Sequence, residues 1–79
     1  MKADIENWFT YHSPTESQAV RYHKIRDAAK YLATTIDECC PDCADKTATL
    51  RKLRETVMSA NQAIACNESE LTEKTVVTR

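Results

Sequence analysis

The sequence predicts an all-α fold, in which a short N-terminal helix precedes an antiparallel helical hairpin. Apolar residues recur at alternating spacings of three and four along two long segments, which is typical of helices with one apolar seam. A proline-containing turn separates these segments, and no segment alternates apolar and polar residues as a strand does. The chain has 79 residues, too few to bury a sizeable core as a lone hairpin. We therefore also expect it to assemble into an oligomer.

The short helix is predicted over residues 2–9. Ile5, Trp8 and Phe9 lie at spacings of three and four, so they share one apolar face. We expect this face to pack against something else, such as a neighbouring subunit.

The first long helix is predicted over residues 14–39. Ser13 can cap its N-terminus, Pro14 suits its first turn, and Glu16 completes a capping box with Ser13. The helix should end before Pro41, because proline disfavours the helical conformation in the residue that precedes it. The predicted apolar seam of this helix is Tyr22, Ile25, Ala29, Leu32, Ile36 and Cys39.

The second long helix is predicted over residues 43–66. Asp42 can cap its start, and Asn67 can adopt the left-handed conformation that ends many helices. Its predicted seam is Leu50, Leu53, Val57, Ala60 and Ile64. Residues 1–66 would then form one hairpin domain, followed by a flexible polar tail over residues 67–79.

The antiparallel arrangement brings the basic residues of both long helices to the same level. With Leu32 opposite Leu50, the register places Arg26 level with Arg54 and Lys30 level with two basic residues of the second helix. We call this set the cationic belt: Arg26, Lys30, Arg51, Lys52 and Arg54.

Composition argues against several classes of partner. The net charge is -1, whereas a domain that binds DNA or RNA usually has a strongly basic surface. No run approaches the roughly 20 apolar residues of a membrane span, and the N-terminus lacks the apolar core of a signal peptide. We expect no polymeric nucleic acid, no membrane, a cytoplasmic location and reduced cysteines.

Neither a cofactor nor a metal is expected. Cys40 and Cys43 form a C-x-x-C motif beside Cys39, but a structural zinc site needs four ligands. The two histidines and Cys66 lie at the other end of the hairpin, roughly 30 Å away at 1.5 Å per residue. A redox role for the motif would require a strand-containing fold. We interpret the turn cysteines as incidental.

Catalysis is also poorly supported by the sequence. His12 and His23 are possible bases and Cys66 is a possible nucleophile. However, a buried and oriented set of catalytic groups is difficult to build on one hairpin without a third layer. We predict that the chain is not an enzyme.

The remaining class of function is the binding of a small anionic ligand between subunits. Tyr11, with Trp8 and Phe9, supplies ring faces on which a base could stack. His12 stands just outside a helix N-terminus, where anions are favoured. Asn61 carries a donor and an acceptor suited to a base edge or ribose, and the arginines of the cationic belt can grip phosphate.

Three motifs resemble those of a group of small phage proteins that sequester the nucleotide signals of bacterial defence. The motifs are Trp8-Phe9-Thr10-Tyr11-His12-x-Pro14, Tyr22-x-x-Ile25-Arg26 and Ala60-Asn61-x-Ala63-Ile64-Ala65. The resemblance covers about residues 7–66 and is to the helical-hairpin sponges of the anti-CBASS and anti-Thoeris systems.

The resemblance implies a hexamer that binds cyclic oligonucleotides or cyclic ADP-ribose derivatives without cleaving them. In such sponges a tyrosine before the long helix and a lysine fifteen residues later embrace the bases of a ligand between two protomers. Tyr11 and Arg26 have this separation here. The sponges often have arginine directly after the tyrosine and asparagine three residues before the lysine, where this chain has His12 and His23.

The sequence therefore predicts a sponge that acts in the cytoplasm of the infected bacterial host. Its expected partners are a cyclic nucleotide and further copies of itself. The alternative is a small structural or protein-binding adaptor that uses only its apolar helix faces. The predicted nucleotide-binding residues are Tyr11, His12, Arg26, Lys30, Arg51, Arg54 and Asn61.

Overall fold

The computed structural model describes residues 1–68 and contains three helices. They are α1 (Lys2–Trp8), α2 (Glu16–Cys39) and α3 (Ala44–Asn67). No strand occurs within residues 1–68, so the predicted all-α class is confirmed. Of the predicted tail, residues 69–79 lie outside the described part of the chain.

The antiparallel hairpin is also confirmed, because α2 packs along α3 and α1 contacts the far end of α3. The hairpin is elongated, with principal extents of 46 × 27 × 22 Å. Every residue of the predicted α3 seam is partly covered: Leu50, Leu53, Val57, Ala60 and Ile64.

The covered face of α2 departs from the predicted seam in its second half. Ile25, Ala29 and Ile36 are partly covered as expected, but Leu32 is 47% exposed and Ala33 is covered in its place. A straight helix drifts by about 20° per heptad relative to a strict seven-residue repeat. The seam therefore moves one residue along, and Cys39 at its end is exposed.

The start of α2 lies two residues later than the sequence predicted. Thr15, not Ser13, is the N-cap, and its hydroxyl accepts from the backbone N–H of Gln18 at 3.1 Å. The Gln18 side-chain oxygen accepts in return from the Thr15 backbone N–H at 3.0 Å. The predicted capping box of Ser13 with Glu16 is therefore wrong, although the same motif forms two residues downstream.

The predicted caps of α3 are wrong at both ends. Cys43, not Asp42, is the N-cap, and its side chain makes no capping bond. The Asp42 carboxylate accepts from Lys46 Nζ at 2.8 Å instead. Asn67 is the last helical residue, Glu68 follows in extended conformation, and no residue within 1–68 has a positive φ.

The described hairpin has no buried apolar core. Gln18 is its one buried residue, and the side chains between α2 and α3 are only half-covered. Several large apolar side chains are exposed: Met1, Ile5, Trp8, Phe9, Tyr11, Val20, Tyr31, Leu32 and Met58. A single layer of two helices leaves this surface without a second layer to cover it.

Candidate functional site

A groove of about 570 Å³ lies at mid-hairpin between α2 and α3. Its floor is almost entirely apolar, because small and aliphatic side chains of both helices meet there. Its lining residues are Arg26, Ala29, Lys30, Ala33, Leu50, Leu53, Arg54, Val57 and Met58. The two alanines leave the space in which the groove forms. We call it the mid-hairpin groove.

The groove unites three members of the cationic belt. Arg26 and Lys30 come from α2 and Arg54 comes from α3, as the predicted register requires. Arg51 and Lys52 are exposed and do not line it. The Arg26 guanidinium donates to His23 Nδ1 at 3.4 Å on the exposed surface of α2. Three cations beside an apolar floor suit an anion that also has an apolar face.

The segment between α1 and α2 carries the other predicted ligand residues. Tyr11 is 82% exposed, so its ring is available for stacking. His12 is half-buried, and its Nε2–H donates to the backbone carbonyl of Asn7 at 2.7 Å. The imidazole is therefore oriented by the chain, and Nδ1 is the ring atom left for another partner.

Contacts with α3 fix the start of this segment. Asn7 Nδ2 donates to the Cys66 carbonyl at 2.7 Å, and Gln62 Nε2 donates to the Trp8 carbonyl at 3.4 Å. The Cys66 thiol also lies 3.6 Å from the Asn7 carbonyl. Residues far apart in sequence thus anchor the backbone immediately before Tyr11.

The end of this segment is fixed by a polar cluster that the sequence analysis missed. Gln18 Nε2 donates to Glu68 Oε1 at 3.2 Å and to the Ile64 carbonyl at 3.5 Å. Arg21 donates to both Glu68 oxygens, at 2.7 and 2.8 Å. The bidentate geometry makes this a specific link between the start of α2 and the end of α3. Glu68 lies in the predicted tail, so no local signal indicated its role.

The same cluster affects Tyr22, which lies on the α2 seam. Burial raises the pKa of the Tyr22 phenol, and the nearby Glu68 carboxylate raises that pKa further. The neutral phenol is therefore favoured in the folded chain.

Asn61 lies on the last turns of α3 and is half-buried. Its Oδ1 atom is buried and has no hydrogen-bond partner within residues 1–68. A buried acceptor without a donor costs about 1–3 kcal/mol, so this amide marks a position where a further partner would be stabilising.

One protomer does not bring all predicted ligand residues together. Tyr11 does not line the mid-hairpin groove, and Arg26 lies ten residues into α2, about 15 Å along the helix axis from Glu16. Arg26, Lys30 and Arg54 form one group, while Tyr11 and His12 lie at the open end of the hairpin. On one protomer the two groups therefore lie at different levels of the hairpin.

The thiols and acids offer no metal centre within the described residues. No three or more His, Cys, Asp or Glu side chains of residues 1–68 are placed to hold a metal ion. Cys39, Cys40 and Cys43 are exposed free thiols in the turn, and Cys66 is half-buried.

Comparison with known proteins decides what this hairpin resembles. A family model described as the Acb2/Tad1 hairpin domain matches residues 1–65. The chain belongs to the Acb2/Tad1 hairpin family. This family comprises the phage sponges of the anti-CBASS and anti-Thoeris type, as the motifs predicted. Searches of curated proteins and of solved structures each found no significant match.

The Acb2/Tad1 match spans α1, α2 and nearly all of α3, so both groups of candidate residues fall within the family domain. The family implies that the chain is a phage protein that captures nucleotide signals in the host cell. Within the described residues, no helix has the length and apolarity that crossing a bilayer requires.

Proposed function

We propose that this chain is a stoichiometric sponge for cyclic nucleotide immune signals. It binds cyclic di- or trinucleotides or cyclic ADP-ribose derivatives in the cytoplasm of the infected bacterium and does not cleave them. By lowering the free signal concentration it keeps the host antiphage effector inactive. The observation that carries the proposal is the mid-hairpin groove, where three cations border an apolar floor within the Acb2/Tad1 domain.

The proposed division of labour follows the chemistry of the ligand. Arg26 grips a phosphate and offers a plane for stacking, and Lys30 and Arg54 add positive potential beside it. Tyr11 stacks on a base with about 1–3 kcal/mol of favourable contact. These contacts bind a cyclic nucleotide by shape and charge, and none of them activates a nucleophile.

The other predicted residues take supporting roles in this proposal. His12 Nδ1 faces a polar group of the ligand while Nε2–H stays bound to the Asn7 carbonyl. Arg51 adds charge from the exposed side of α3. Asn61 receives the donor that its buried Oδ1 lacks within residues 1–68, once the assembly and ligand are in place.

We further propose that the active form is a homo-hexamer with ligand sites between protomers. Two observations support self-association. The described hairpin buries no apolar side chain, and neither Tyr11 nor His12 lines the groove of its own copy. Preformed sites between subunits would also avoid the cost of ordering loops on binding.

Isothermal titration of the intact protein tests the proposal. The ligands are a panel of cyclic di- and trinucleotides and cyclic ADP-ribose isomers. One ligand should bind with nanomolar affinity, on the order of -12 kcal/mol, since the sponge must compete with the effector. The ligand should be recovered intact after the protein is denatured.

Matched variants locate the site. Tyr11→Ala should weaken binding by about 5- to 150-fold, the loss of one stacking contact. Tyr31→Ala removes a tyrosine of similar exposure, 77% against 82%, and should leave affinity unchanged. Arg26→Ala should weaken binding strongly, and Lys24→Ala should have little effect. No heat from any ligand, with a folded oligomeric protein, would contradict the proposal and favour the protein-binding adaptor.

A further inference from the structure

A stripe of mostly exposed residues runs along α2, on the side of the apolar seam that faces away from the mid-hairpin groove. Residues that follow one another at alternating spacings of three and four share one helix face. Tyr31 in this stripe is 77% exposed, and Leu32 beside it is 47% exposed. We call it the back stripe, and its residues are Arg21, Lys24, Ala28, Tyr31, Thr35 and Glu38.

The described part of the chain ends at the beginning of the back stripe. Glu68 accepts from both terminal nitrogens of Arg21, at 2.7 and 2.8 Å, and from Gln18 Nε2 at 3.2 Å. The Glu68 side chain is only 12% exposed, so this bidentate pair is shielded from water. Whatever follows Glu68 therefore starts from a fixed position next to Arg21, the first residue of the stripe.

The order of residues after Glu68 is complementary to the order of residues along the stripe. We call residues 69–79 the terminal segment. It presents acids first, then an apolar pair and finally a base: Glu70, Glu73, Val76, Val77 and Arg79. From Arg21 towards the turn, the back stripe presents two bases, then its apolar side chains and finally Glu38. A terminal segment that runs parallel to α2 therefore meets opposite charges at both ends and apolar side chains between them.

The length of the terminal segment is sufficient for this contact. Tyr31 lies ten residues along α2 from Arg21, which is about 15 Å at 1.5 Å per residue. Val76 lies eight residues after Glu68, and an extended chain spans up to about 26 Å over that length. Because Glu68 tethers the terminal segment beside the stripe, its effective concentration there is high. The same chain is therefore favoured as the occupant over a separate molecule.

The family domain and the groove leave this contact open. The Acb2/Tad1 match ends at residue 65, so the terminal segment lies outside the matched domain. Neither Tyr31 nor Leu32 lines the mid-hairpin groove, so a segment seated on the back stripe leaves the candidate nucleotide site unobstructed. Two large apolar side chains that are exposed side by side are typical of a surface that another segment covers.

We propose that residues 69–79 dock on the back stripe of the same chain. The acids of the terminal segment lie against Lys24, and its apolar pair covers Tyr31 and Leu32. The arginine at its end lies against the acid at the far end of the stripe. The contact is on the side of α2 that faces away from the groove, so it does not depend on the proposed nucleotide function.

Photo-crosslinking of the full chain identifies what covers the stripe. Leu32 is replaced by p-benzoyl-phenylalanine, and unlabelled and ¹⁵N-labelled chains are mixed and allowed to exchange subunits before irradiation. Cross-links to residues 69–79 within single-isotope chains are expected. Mixed-isotope cross-links, cross-links to a helix, or no cross-links from the folded protein would overturn the proposal.

Met58 provides the matched position for this experiment. It is also an exposed apolar residue, at 64%, but it lines the mid-hairpin groove on the other side of the seam. The same replacement at Met58 should give no cross-links to the terminal segment. Cross-links from Met58 in equal yield would show that the segment has no preference for the back stripe, which would also overturn the proposal.

Charge reversal tests the direction in which the terminal segment runs. Lys24→Glu should lower the yield of the Leu32 cross-link by about two- to fivefold, the range expected for the loss of one exposed ion pair. Glu70→Lys should have the same effect. The double variant has the wild-type net charge and should recover the wild-type yield.

Lys2→Glu separates the specific contact from a general effect of charge. It changes the net charge as Lys24→Glu does, but Lys2 is exposed on α1 and is not part of the back stripe. It should leave the cross-link yield unchanged. Circular dichroism measures the folding of each variant. Failure of the double variant to recover the yield, with every variant folded, would overturn the proposed contact.

Discussion

The hairpin is closed by ion pairs at both ends, and the two ends differ in their exposure to water. At the open end the side chains of Arg21 and Glu68 are 37% and 12% exposed. At the turn, the Lys46 side chain is 10% exposed, but the two aspartates that pair with it are 68% and 98% exposed. Solvent screens exposed pairs, which contribute little to stability, whereas the shielded bidentate pair fixes a geometry.

The shielded pair lies near two of the candidate ligand residues, Tyr11 and His12. The shielded cluster lies next to the segment that carries Tyr11, and Gln18 links that segment to both α3 and Glu68. The turn carries exposed cysteines and no candidate ligand residue. The structure thus concentrates its specific polar contacts at the open end, next to Tyr11 and His12, whereas the candidate cations Arg26, Lys30 and Arg54 line the groove at mid-hairpin.

Among the substitutions that test the difference between the two ends, removal of the Gln18 side chain should lower the free energy of unfolding most. Gln18→Ala deletes half of the capping box and the bonds to Glu68 and the Ile64 carbonyl. We expect a loss of about 2 kcal/mol in the free energy of unfolding. Urea denaturation at a fixed protomer concentration measures it, because association would otherwise shift the midpoint.

Gln62→Ala is the matched control. Gln62 is exposed, and it donates in contact with solvent to the Trp8 carbonyl at 3.4 Å and to Cys66 Sγ at 2.9 Å, so its removal should cost much less. Equal losses for the two glutamines would show that the buried cluster contributes no more to stability than an exposed contact does.

A smaller effect is expected from the Tyr22 phenol at the same end. Its pKa is raised in the folded chain, so the unfolded chain loses the phenol proton first as pH rises. Stability should therefore fall above the ordinary pKa of 10.0 until the folded phenol also ionises. Tyr22→Phe should remove that part of the alkaline decline, measured by urea denaturation across pH.

Tyr31→Phe serves as the control for this titration. Tyr31 is exposed on α2 and lies outside the apolar seam, so its replacement removes a phenol without changing the packing between the long helices. If Tyr22→Phe leaves the alkaline decline in stability unchanged, then the Tyr22 phenol does not interact with the Glu68 cluster.

The sequence predicted the helices well because their signals are local. The alternating spacing in α3 fixed its covered face, and Pro41 marked the turn. The predicted start of α2 was wrong because Ser13 and Thr15 are each followed, three residues later, by a residue that can complete a capping box. The Thr15 motif forms because Gln18 also reaches Glu68, fifty residues away, and periodicity carries no information on such a partner.

The candidate site could be predicted only in part for the same reason. The register placed Arg26, Lys30 and Arg54 in one groove, since helical spacing and a short turn determine it. The anchoring of His12 to the Asn7 carbonyl depends on how α1 docks on α3, which no motif encodes. The sequence therefore predicts which residues share a helix face more reliably than it predicts their hydrogen-bond partners on other elements.

The smallest effect is expected at the turn. Asp42→Asn removes a carboxylate whose pKa is lowered by the hydrogen bond from Lys46 and by its charge. A lowered pKa contributes stability above the ordinary value of 3.8, and the contribution disappears as pH falls through the lowered pKa. Because the Asp42 side chain is 98% exposed, the loss at neutral pH should be barely measurable and should vanish in acid.

Asp27→Asn, an exposed acid without an ion pair among residues 1–68, is the control, and urea denaturation at both pH values gives the difference. A loss for Asp42→Asn as large as that for Gln18→Ala would mean that exposure does not distinguish the two ends, and the turn would then have to be counted among the elements that set the hairpin geometry.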